Sequence, residues 1–272
     1  MGRGHPAKTA PAVSVLICTH DRLPLLKKTL ASVYAQTFAD FEVVVMDNDS
    51  TDGTASWLER RRYPRLRCVR LPRREGPASA RSRGLGELRG RYVAFLDSDD
   101  LWRPNHLRTL LPAFRDPKIM VAYSDFKLID GAGRPVPRGR WRRSADPLFE
   151  GVSGQSSMPL PSTAVVRRTA LLSVDFDRAF RTMLEDWDFF FRMALRYGRG
   201  SFHFVDRPLV YYRRHAVQET SGIDDEPLFS MEKLRRWGRL DERQRQGILD
   251  LAVLGRKHGR RLGQAAKPGP RS

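Results

Sequence analysis

The sequence predicts an α/β fold whose first hundred residues form a parallel sheet. Short apolar runs of strand length alternate there with segments whose apolar residues recur at helical spacing, which is the pattern of βαβ units. Polar or acidic residues directly follow three of the apolar runs. The chain has 272 residues, 40% of them hydrophobic, so it can bury the core of one large domain or two small ones.

Four strands and three helices are predicted before residue 100. The strands are the apolar runs at residues 13–18, 41–46, 66–71 and 92–96. The first helix begins near Pro24, because proline suits the first helical turn and Leu26, Leu30 and Val33 follow at helical spacing. A second helix opens at residues 51–54, and a third, rich in small residues, covers residues 77–88.

Beyond residue 100 the pattern is looser. Helices are predicted to start at Pro104 and at Glu185, and short strands are predicted at residues 120–124, 126–129, 163–166, 202–205 and 209–212. Residues 131–158 lack periodicity and are rich in Gly, Pro, Ser and Arg, which predicts a long loop. From Glu226 onward the chain is predicted to be helical and basic.

Composition narrows the class of protein. Lys and Arg total 49 against 31 Asp and Glu, and a net charge of +18 favours polyanionic partners such as nucleic acid, anionic lipid or phosphate-bearing small molecules. Cys18 and Cys68 are the only cysteines, which fits a reducing compartment. No signal-peptide pattern and no run near the ~18 apolar residues of a membrane span is present, so we expect a cytoplasmic protein.

Three aspartates among residues 97–100 (Asp-Ser-Asp-Asp) follow the fourth predicted strand directly. Clustered carboxylates at the carboxyl end of a buried strand repel each other unless a cation lies among them, and oxygen ligands suit Mg²⁺ or Mn²⁺. The carboxyl ends of strands in open α/β sheets are also where ligands bind. A solvated turn that caps the next helix explains the same residues equally well.

Four segments, in this order, resemble the family 2 inverting glycosyltransferases. They read VSVLICTHDR at 13–22, VVMDNDSTDGT at 44–54, FLDSDD at 95–100 and LEDWD at 184–188, the last resembling that family's ED motif. The resemblance covers residues 13–215 and implies a single GT-A type domain with a Rossmann-like mixed sheet. It implies a nucleotide-binding half at 13–100 and an acceptor-binding and catalytic half at 101–215. Outside it, composition predicts a disordered N-terminus at 1–12 and a basic helical tail at 216–272.

The resemblance also assigns a nucleotide-sugar site. Its residues end the predicted strands or lie close after them: Thr19, Asp21, Arg22, Asp47, Asn48, Asp49, Arg81, Asp97 and Ser98. Asn48 stands where the family commonly has an acid, so a preference for uracil is in doubt and thymine or guanine donors stay open, since an amide both donates and accepts. Ser82 replaces the Asn that follows Arg81 in the family. Two alternatives involve no ligand. The loop after the first predicted strand could simply cap a helix, and Arg81 could be an exposed charge on a helix.

The resemblance further implies a divalent cation, Mg²⁺ or Mn²⁺, bound by Asp99 and Asp100, with His215 as an additional ligand. Asp186 is predicted to be the base that takes a proton from the acceptor hydroxyl, and Glu185 to orient a substrate. Near the acceptor we expect Ser162, Thr163 and Trp187. Favourable placement of carboxylates at a helix start explains Glu185 and Asp186 without catalysis, and a core role explains Trp187.

The predicted activity is therefore transfer of a single sugar from a UDP-, dTDP- or GDP-sugar to a hydroxyl of a glycan, glycolipid or small metabolite. No Gln-x-x-Arg-Trp motif of processive synthases is present. A lipid-linked acceptor of cell-envelope polysaccharide synthesis would suit a basic tail lying on the inner face of an anionic membrane, while a packed terminal helix explains that tail equally. The alternatives are a nucleotidyltransferase and a non-enzymatic module that binds nucleic acid or anionic polymer.

Overall fold

An eight-stranded mixed sheet organises the computed structural model, which describes residues 10–61, 63–137, 159–179 and 185–214. Its strands are β1 (Val13–Thr19), β2 (Phe41–Asp47), β3 (Leu66–Arg70), β4 (Tyr92–Asp97), β5 (Leu101–Trp102), β6 (Val121–Ile129), β7 (Ala164–Arg167) and β8 (Phe202–Arg213). The helices described are α1 (Leu23–Tyr34), α2 (Thr54–Arg60), α3 (Pro77–Leu85), α4 (His106–Leu110) and α5 (Glu185–Tyr197). The predicted N-terminus, long loop and basic tail fall largely outside these ranges.

The sheet has a parallel half and a mixed half, in the order β3-β2-β1-β4-β7-β6-β8-β5. Strands β1, β2, β3 and β4 run parallel, which confirms the fold class predicted for the first hundred residues. Strand β7 then pairs antiparallel with both β4 and β6, while β8 runs parallel to β6. The predicted mixed sheet is therefore present.

The core lies on both faces of the parallel strands, because a sheet covered by helices buries consecutive apolar residues. Val15, Ile17, Val43 and Val45 pack with the buried face of α1 on one side of the sheet. Alternation along β1 sends Leu16 to the opposite side of the sheet. There Gly84 of α3 comes so close to β1 that an added methyl group would lie 2.6 Å from a Leu16 methyl carbon.

Two predicted pairs of short strands turn out to be single longer strands. The predicted strands at 120–124 and 126–129 both fall in β6, which begins one residue later, at Val121, and those at 202–205 and 209–212 fall in β8. The pairing of these two strands shifts register around Asp125, which pairs with Pro208. A β-bulge accommodates the extra residues and the missing N–H of proline. The apolar pattern of the sequence is therefore interrupted at a position where the strand continues.

Strand register brings the polar strand ends together. Thr19 at the end of β1 pairs with Asp47 at the end of β2, and Cys18 pairs with Asp97 at the end of β4. These carboxyl ends define one edge of the sheet, which we call the binding edge (the ends of β1, β2 and β4). Within the described ranges, no helix is both long enough and apolar enough to cross a membrane.

Candidate active site

The acidic turn, residues 97–100, is held at the binding edge by side chains from distant parts of the chain. The Thr29 hydroxyl of α1 lies 2.9 Å from the carbonyl oxygens of both Ser98 and Asp100, which share its single proton. The Ser162 hydroxyl accepts a hydrogen bond from the Asp97 N–H at 3.0 Å. These hydrogen bonds fix the backbone of the turn. They do not involve its carboxylates, which point into different surroundings.

Asp100 points into the protein. One carboxylate oxygen accepts the Ser162 hydroxyl at 2.6 Å and the other accepts the Arg213 N–H at 2.9 Å. Burial raises the pKa of Asp100 well above its usual range, and the neighbouring carboxylates of Asp99 and Asp97 raise it further. That Asp100 binds a metal stays a prediction, and in the structure each of its two oxygens accepts a hydrogen bond from the protein.

The predicted acceptor residues Ser162 and Thr163 also face inward. Both are buried, with Ser162 engaged as described and the Thr163 hydroxyl donating to the Leu160 carbonyl at 2.8 Å. Trp187 is half-buried and stacks on Phe191 of the same helix at 5.0 Å between ring centroids. The described contacts of Ser162 and Thr163 are structural, and those of Trp187 are with its own helix.

Arg213 secures the turn from behind. Its buried guanidinium donates to the carbonyl oxygens of Asp99 at 2.8 Å and of Asp130 and Gly131 at 3.1 Å. The Arg213 guanidinium is therefore committed to backbone oxygens of the protein.

Asp99 faces the loop that follows β1. The Arg22 guanidinium contacts its carboxylate at 2.9 Å, across a sequence separation of 77 residues. Asp97 is half-buried and pairs with Arg81 of α3 at 2.6 Å. Asp97 and Asp99 are thus the acids of the turn that meet cationic side chains at the binding edge.

Arg81 connects the acidic turn to the start of α5. Its guanidinium pairs with Asp97 through one nitrogen and with Glu185 through another. Burial raises the pKa of Glu185 to about 7, although the Arg81 charge lowers it. The alternative of an exposed helix charge is excluded, because Arg81 is buried.

Asp186 lies beside Glu185 and is less buried. One of its carboxylate oxygens accepts the Trp187 N–H at 2.7 Å, as suits an acid in the first turn of a helix. Burial raises the pKa of Asp186 as well, and Arg81 again acts in the opposite direction. Leu184 and the predicted metal ligand His215 lie outside the described residues.

The loops after β1 and β2 interlock. Asp21, with a φ of 47°, accepts the Thr51 N–H at 2.6 Å, and Asp52 accepts the Leu23 N–H at 2.7 Å at the start of α1. Asp49 also has a positive φ, of 65°, and meets Arg70 at 3.4 Å. Asp and Asn tolerate this conformation better than most residues. The predicted residues Asp21 and Asp49 therefore shape the loops.

Three other residues at the ends of β1 and β2 keep unused polar groups. The Asn48 side-chain oxygen accepts the Glu75 N–H at 3.0 Å, which leaves its NH₂ group as the donor. Thr19 Oγ1 and Asp47 Oδ2 are buried and meet no hydrogen-bond partner within the described ranges. Unpaired buried polar atoms are costly, so a polar ligand is a physical reason to keep them.

Carboxylates suitable for a metal are few. Among the described residues, no group of three or more His, Cys, Asp or Glu side chains is arranged to hold a metal ion. Mg²⁺ in nucleotide sites is bound by one or two carboxylates together with phosphates and water. Asp97 and Asp99 fit that pattern. The described residues do not fit a metal ion that is held by protein ligands alone.

Comparison with known proteins identifies the family and the fold. Residues 14–220 match the model of Glycosyl transferase family 2, so the chain belongs to that family. A relative in Escherichia coli, the UDP-Glc:alpha-D-GlcNAc-diphosphoundecaprenol beta-1,3-glucosyltransferase WfaP, is 30% identical over 114 residues, which are 42% of this chain and 45% of that protein. The match spans 36%, 52% and 45% of the first three curated relatives.

Solved structures share the fold, which is of the GT-A type. TarS residues 1–349 from S. aureus, in complex with UDP-GlcNAc, has a TM-score of 0.70 and 24% identity, with 89% of this chain and 71% of that chain covered. The mannosyltransferase PcManGT from Pyrobaculum calidifontis, in complex with GDP-Man and Mn²⁺, has a TM-score of 0.61 and 20% identity, with 97% and 77% covered. The chain is thus a member of Glycosyl transferase family 2 with a GT-A fold.

Proposed function

We propose that the protein transfers one sugar from a nucleotide-sugar donor to an acceptor hydroxyl, with inversion at the anomeric carbon. The observation that carries the proposal is the Arg81 bridge, which joins Asp97 at the binding edge to Glu185, the neighbour of Asp186. A donor bound along the strand ends would then lie close to a half-buried carboxylate that can act as a base. Family membership supports the reaction class.

The donor would bind across the ends of β1, β2 and β4. Thr19 and Asp47 offer unpaired polar atoms there, and the Asn48 NH₂ group would donate to a carbonyl oxygen of the base. Uracil, thymine and guanine all carry such an oxygen, which keeps UDP-, dTDP- and GDP-sugars as candidates. The named ligands of relatives, UDP-Glc, UDP-GlcNAc and GDP-Man, come from the same set.

A divalent cation, Mg²⁺ or Mn²⁺, would be held by Asp99 with the donor diphosphate and water completing its ligands. When bound, it offsets the negative charge that develops on the leaving diphosphate. Arg22 contacts the Asp99 carboxylate at 2.9 Å and supplies positive charge at the same position. The complex of PcManGT with GDP-Man and Mn²⁺ supports such a cation in this fold.

Asp186 would be the base. It takes the proton of the acceptor hydroxyl while that oxygen forms a bond to the anomeric carbon, and the bond from that carbon to the diphosphate oxygen breaks with its electron pair leaving on the nucleoside diphosphate. Glu185 is a weaker candidate, because it is buried and paired with Arg81. Its role would be to hold Arg81 and the start of α5.

The acceptor would be a glycan, including one linked to a lipid diphosphate at the cytoplasmic face of a membrane. This rests on WfaP, whose name specifies a diphosphoundecaprenol acceptor, and on the net charge of +18. Cell-envelope polysaccharide synthesis is the corresponding process.

The test replaces Asp186→Asn and measures two properties separately. Donor binding is followed by thermal shift with UDP-glucose, UDP-N-acetylglucosamine and GDP-mannose, each with and without Mn²⁺, and turnover by release of nucleoside diphosphate. We expect binding to persist and turnover to fall by at least ~100-fold, the lower range for general-base catalysis. Asp40→Asn is the matched control, because Asp40 is exposed and precedes the amino end of β2.

Turnover by Asp186→Asn at the wild-type rate would disprove the assignment of the base. Release of pyrophosphate from a nucleoside triphosphate, in place of transfer from a sugar nucleotide, would favour the nucleotidyltransferase alternative.

A further inference from the structure

The Arg81 guanidinium contacts an aromatic ring as well as two carboxylates. The centre of its charge lies 5.7 Å from the centroid of the Phe176 ring, within the range of a cation–π contact. Phe176 belongs to residues 174–178, which precede the start of α5 along the chain. The ring is buried, at 3% exposure.

The same ring contacts the two elements that Arg81 joins. It stacks on Phe189 of α5, with 4.2 Å between centroids and 8° between planes, and it meets the edge of Phe95 of β4 at 5.4 Å. Phe95 and Phe189 also contact each other, at 5.8 Å. Phe176 therefore fills the space between the strand that carries Asp97 and the helix that carries Glu185 and Asp186.

Ser82 fastens this segment to α3. Its hydroxyl donates to the Asp175 carboxylate at 2.7 Å and accepts the Arg178 Nε–H at 3.0 Å, so it contacts the residues on both sides of Phe176. Ser82 is the residue after Arg81, and it stands where the sequence departs from the family pattern. We call Ser82, Asp175 and Arg178 the Ser82 clasp.

We propose that Phe176, seated by the Ser82 clasp, is a positioning residue for the transfer reaction: it fixes the Arg81 guanidinium and thereby the placement of Asp186 relative to the donor. The inference rests on the proposed function, because it gives Phe176 a role only if Asp186 is the base. An arginine side chain has several rotatable bonds and loses side-chain entropy when it is held in one position. The cation–π contact with Phe176 adds a third contact to the two ion pairs and so restricts the guanidinium further.

Loss of the ring has a predicted electrostatic consequence. The Arg81 charge lowers the pKa of both Glu185 and Asp186, so a guanidinium that moves away lets the pKa of both groups rise. Asp186 would then be protonated at a higher pH and inactive as a base there. The acidic limb of the pH profile of kcat therefore moves to higher pH, a shift that a purely structural role for the ring does not produce.

The experiment compares Phe176→Leu and Ser82→Ala with wild type and with the control Leu172→Ala, which changes a residue that is 84% exposed and precedes residues 174–178. The donor is whichever of UDP-glucose, UDP-N-acetylglucosamine and GDP-mannose gives the fastest nucleotide release. We expect Phe176→Leu to lower kcat by on the order of 10- to 100-fold, as misplaced catalytic groups do. The KM for the donor should change little, and the acidic limb should move up. Ser82→Ala should act in the same direction with a smaller effect.

Crystal structures of wild type and Phe176→Leu give a readout that does not need turnover. We expect the Arg81 guanidinium to lose its contact with Glu185 or with Asp97 in the variant. Intact Arg81 ion pairs, or a kcat and an acidic limb equal to those of wild type in a folded Phe176→Leu protein, would overturn the proposal. Failure of the proposed function is a separate result, namely wild-type turnover by Asp186→Asn.

Discussion

His106 shows how a single buried side chain can be unfavourable and still fit its site. The His106 ring stacks on Trp102, with 4.4 Å between ring centroids, and the Trp102 indole N–H donates to the Ser162 carbonyl at 2.7 Å. His106 therefore supports Trp102, and Trp102 in turn supports Ser162, which holds the acidic turn. Both ring nitrogens are buried, and neither has a hydrogen-bond partner among the described residues. Burial lowers the pKa of His106 to about 3.

His106→Phe should therefore stabilise the protein, and more so at low pH. In the wild type the unfolded chain binds a proton on His106 below its usual pKa of 6.5, whereas the folded state does not until about pH 3. Stability is thus lost as pH falls between these values. We expect a gain of about 1 kcal/mol at pH 8, from removal of unsatisfied polar atoms, and a larger gain at pH 5, measured by urea unfolding. Equal gains at both pH values would contradict a neutral buried imidazole.

At the scale of elements, the turn before β4 depends on a close backbone approach. Gly90 donates its N–H to the Ser14 hydroxyl at 2.8 Å, and Glu42 accepts the same hydroxyl at 2.7 Å. A methyl group on Gly90 would lie 2.4 Å from the Ser14 nitrogen and 2.7 Å from the Val13 carbonyl carbon. Because backbone atoms cannot move aside cheaply, the entry of β4 beside β1 requires glycine.

Gly90→Ala should lower the free energy of unfolding by about 1–3 kcal/mol, the usual cost of overpacking. Gly86→Ala is the matched control, since its added methyl would have only the Arg83 carbonyl oxygen in contact, at 3.5 Å, and its backbone is helical. Chemical denaturation of both variants measures the difference. If the two substitutions proved equally mild, β4 would have to approach β1 less closely than described.

At the scale of the whole molecule, Arg81 ties an early helix to a late one. Residues 10–136 and 159–214 lie in one compact unit, and within it the Arg81–Glu185 pair spans a separation of 104 residues. A buried ion pair contributes little net stability compared with apolar residues, but removing one partner leaves the other charge buried. The bridge therefore specifies the arrangement of α3, β4 and α5.

Arg81→Met should destabilise the protein by about 3–5 kcal/mol, because the Asp97 and Glu185 carboxylates lose their partner. The double variant Arg81→Met/Glu185→Gln should recover part of that loss, since one buried carboxylate is removed as well. Urea unfolding of the wild type, both single variants and the double variant forms a complete cycle. Strictly additive effects would show that the two residues do not interact.

Much of the fold and the outline of the site follow from local patterns. The apolar runs at 13–18, 41–46 and 92–96 predict β1, β2 and β4, and the residues directly after them mark the binding edge. Strand β5 was missed because it has only two residues. Thr29 could have been noticed as a polar residue on the apolar face that Leu26 and Leu30 define, although its partners could not.

Taken alone, the sequence determined the family, the parallel half of the sheet and the set of acids from which an active site is built, because these depend on residue order and short-range periodicity. Only the tertiary structure decided which acids turn inward and which lie at the binding edge. It turned Asp100 inward to Ser162 and to Arg213, 113 residues away, and set Arg81 between Asp97 and Glu185. Such contacts join positions that no local pattern relates, because burial and charge pairing are settled when distant elements pack.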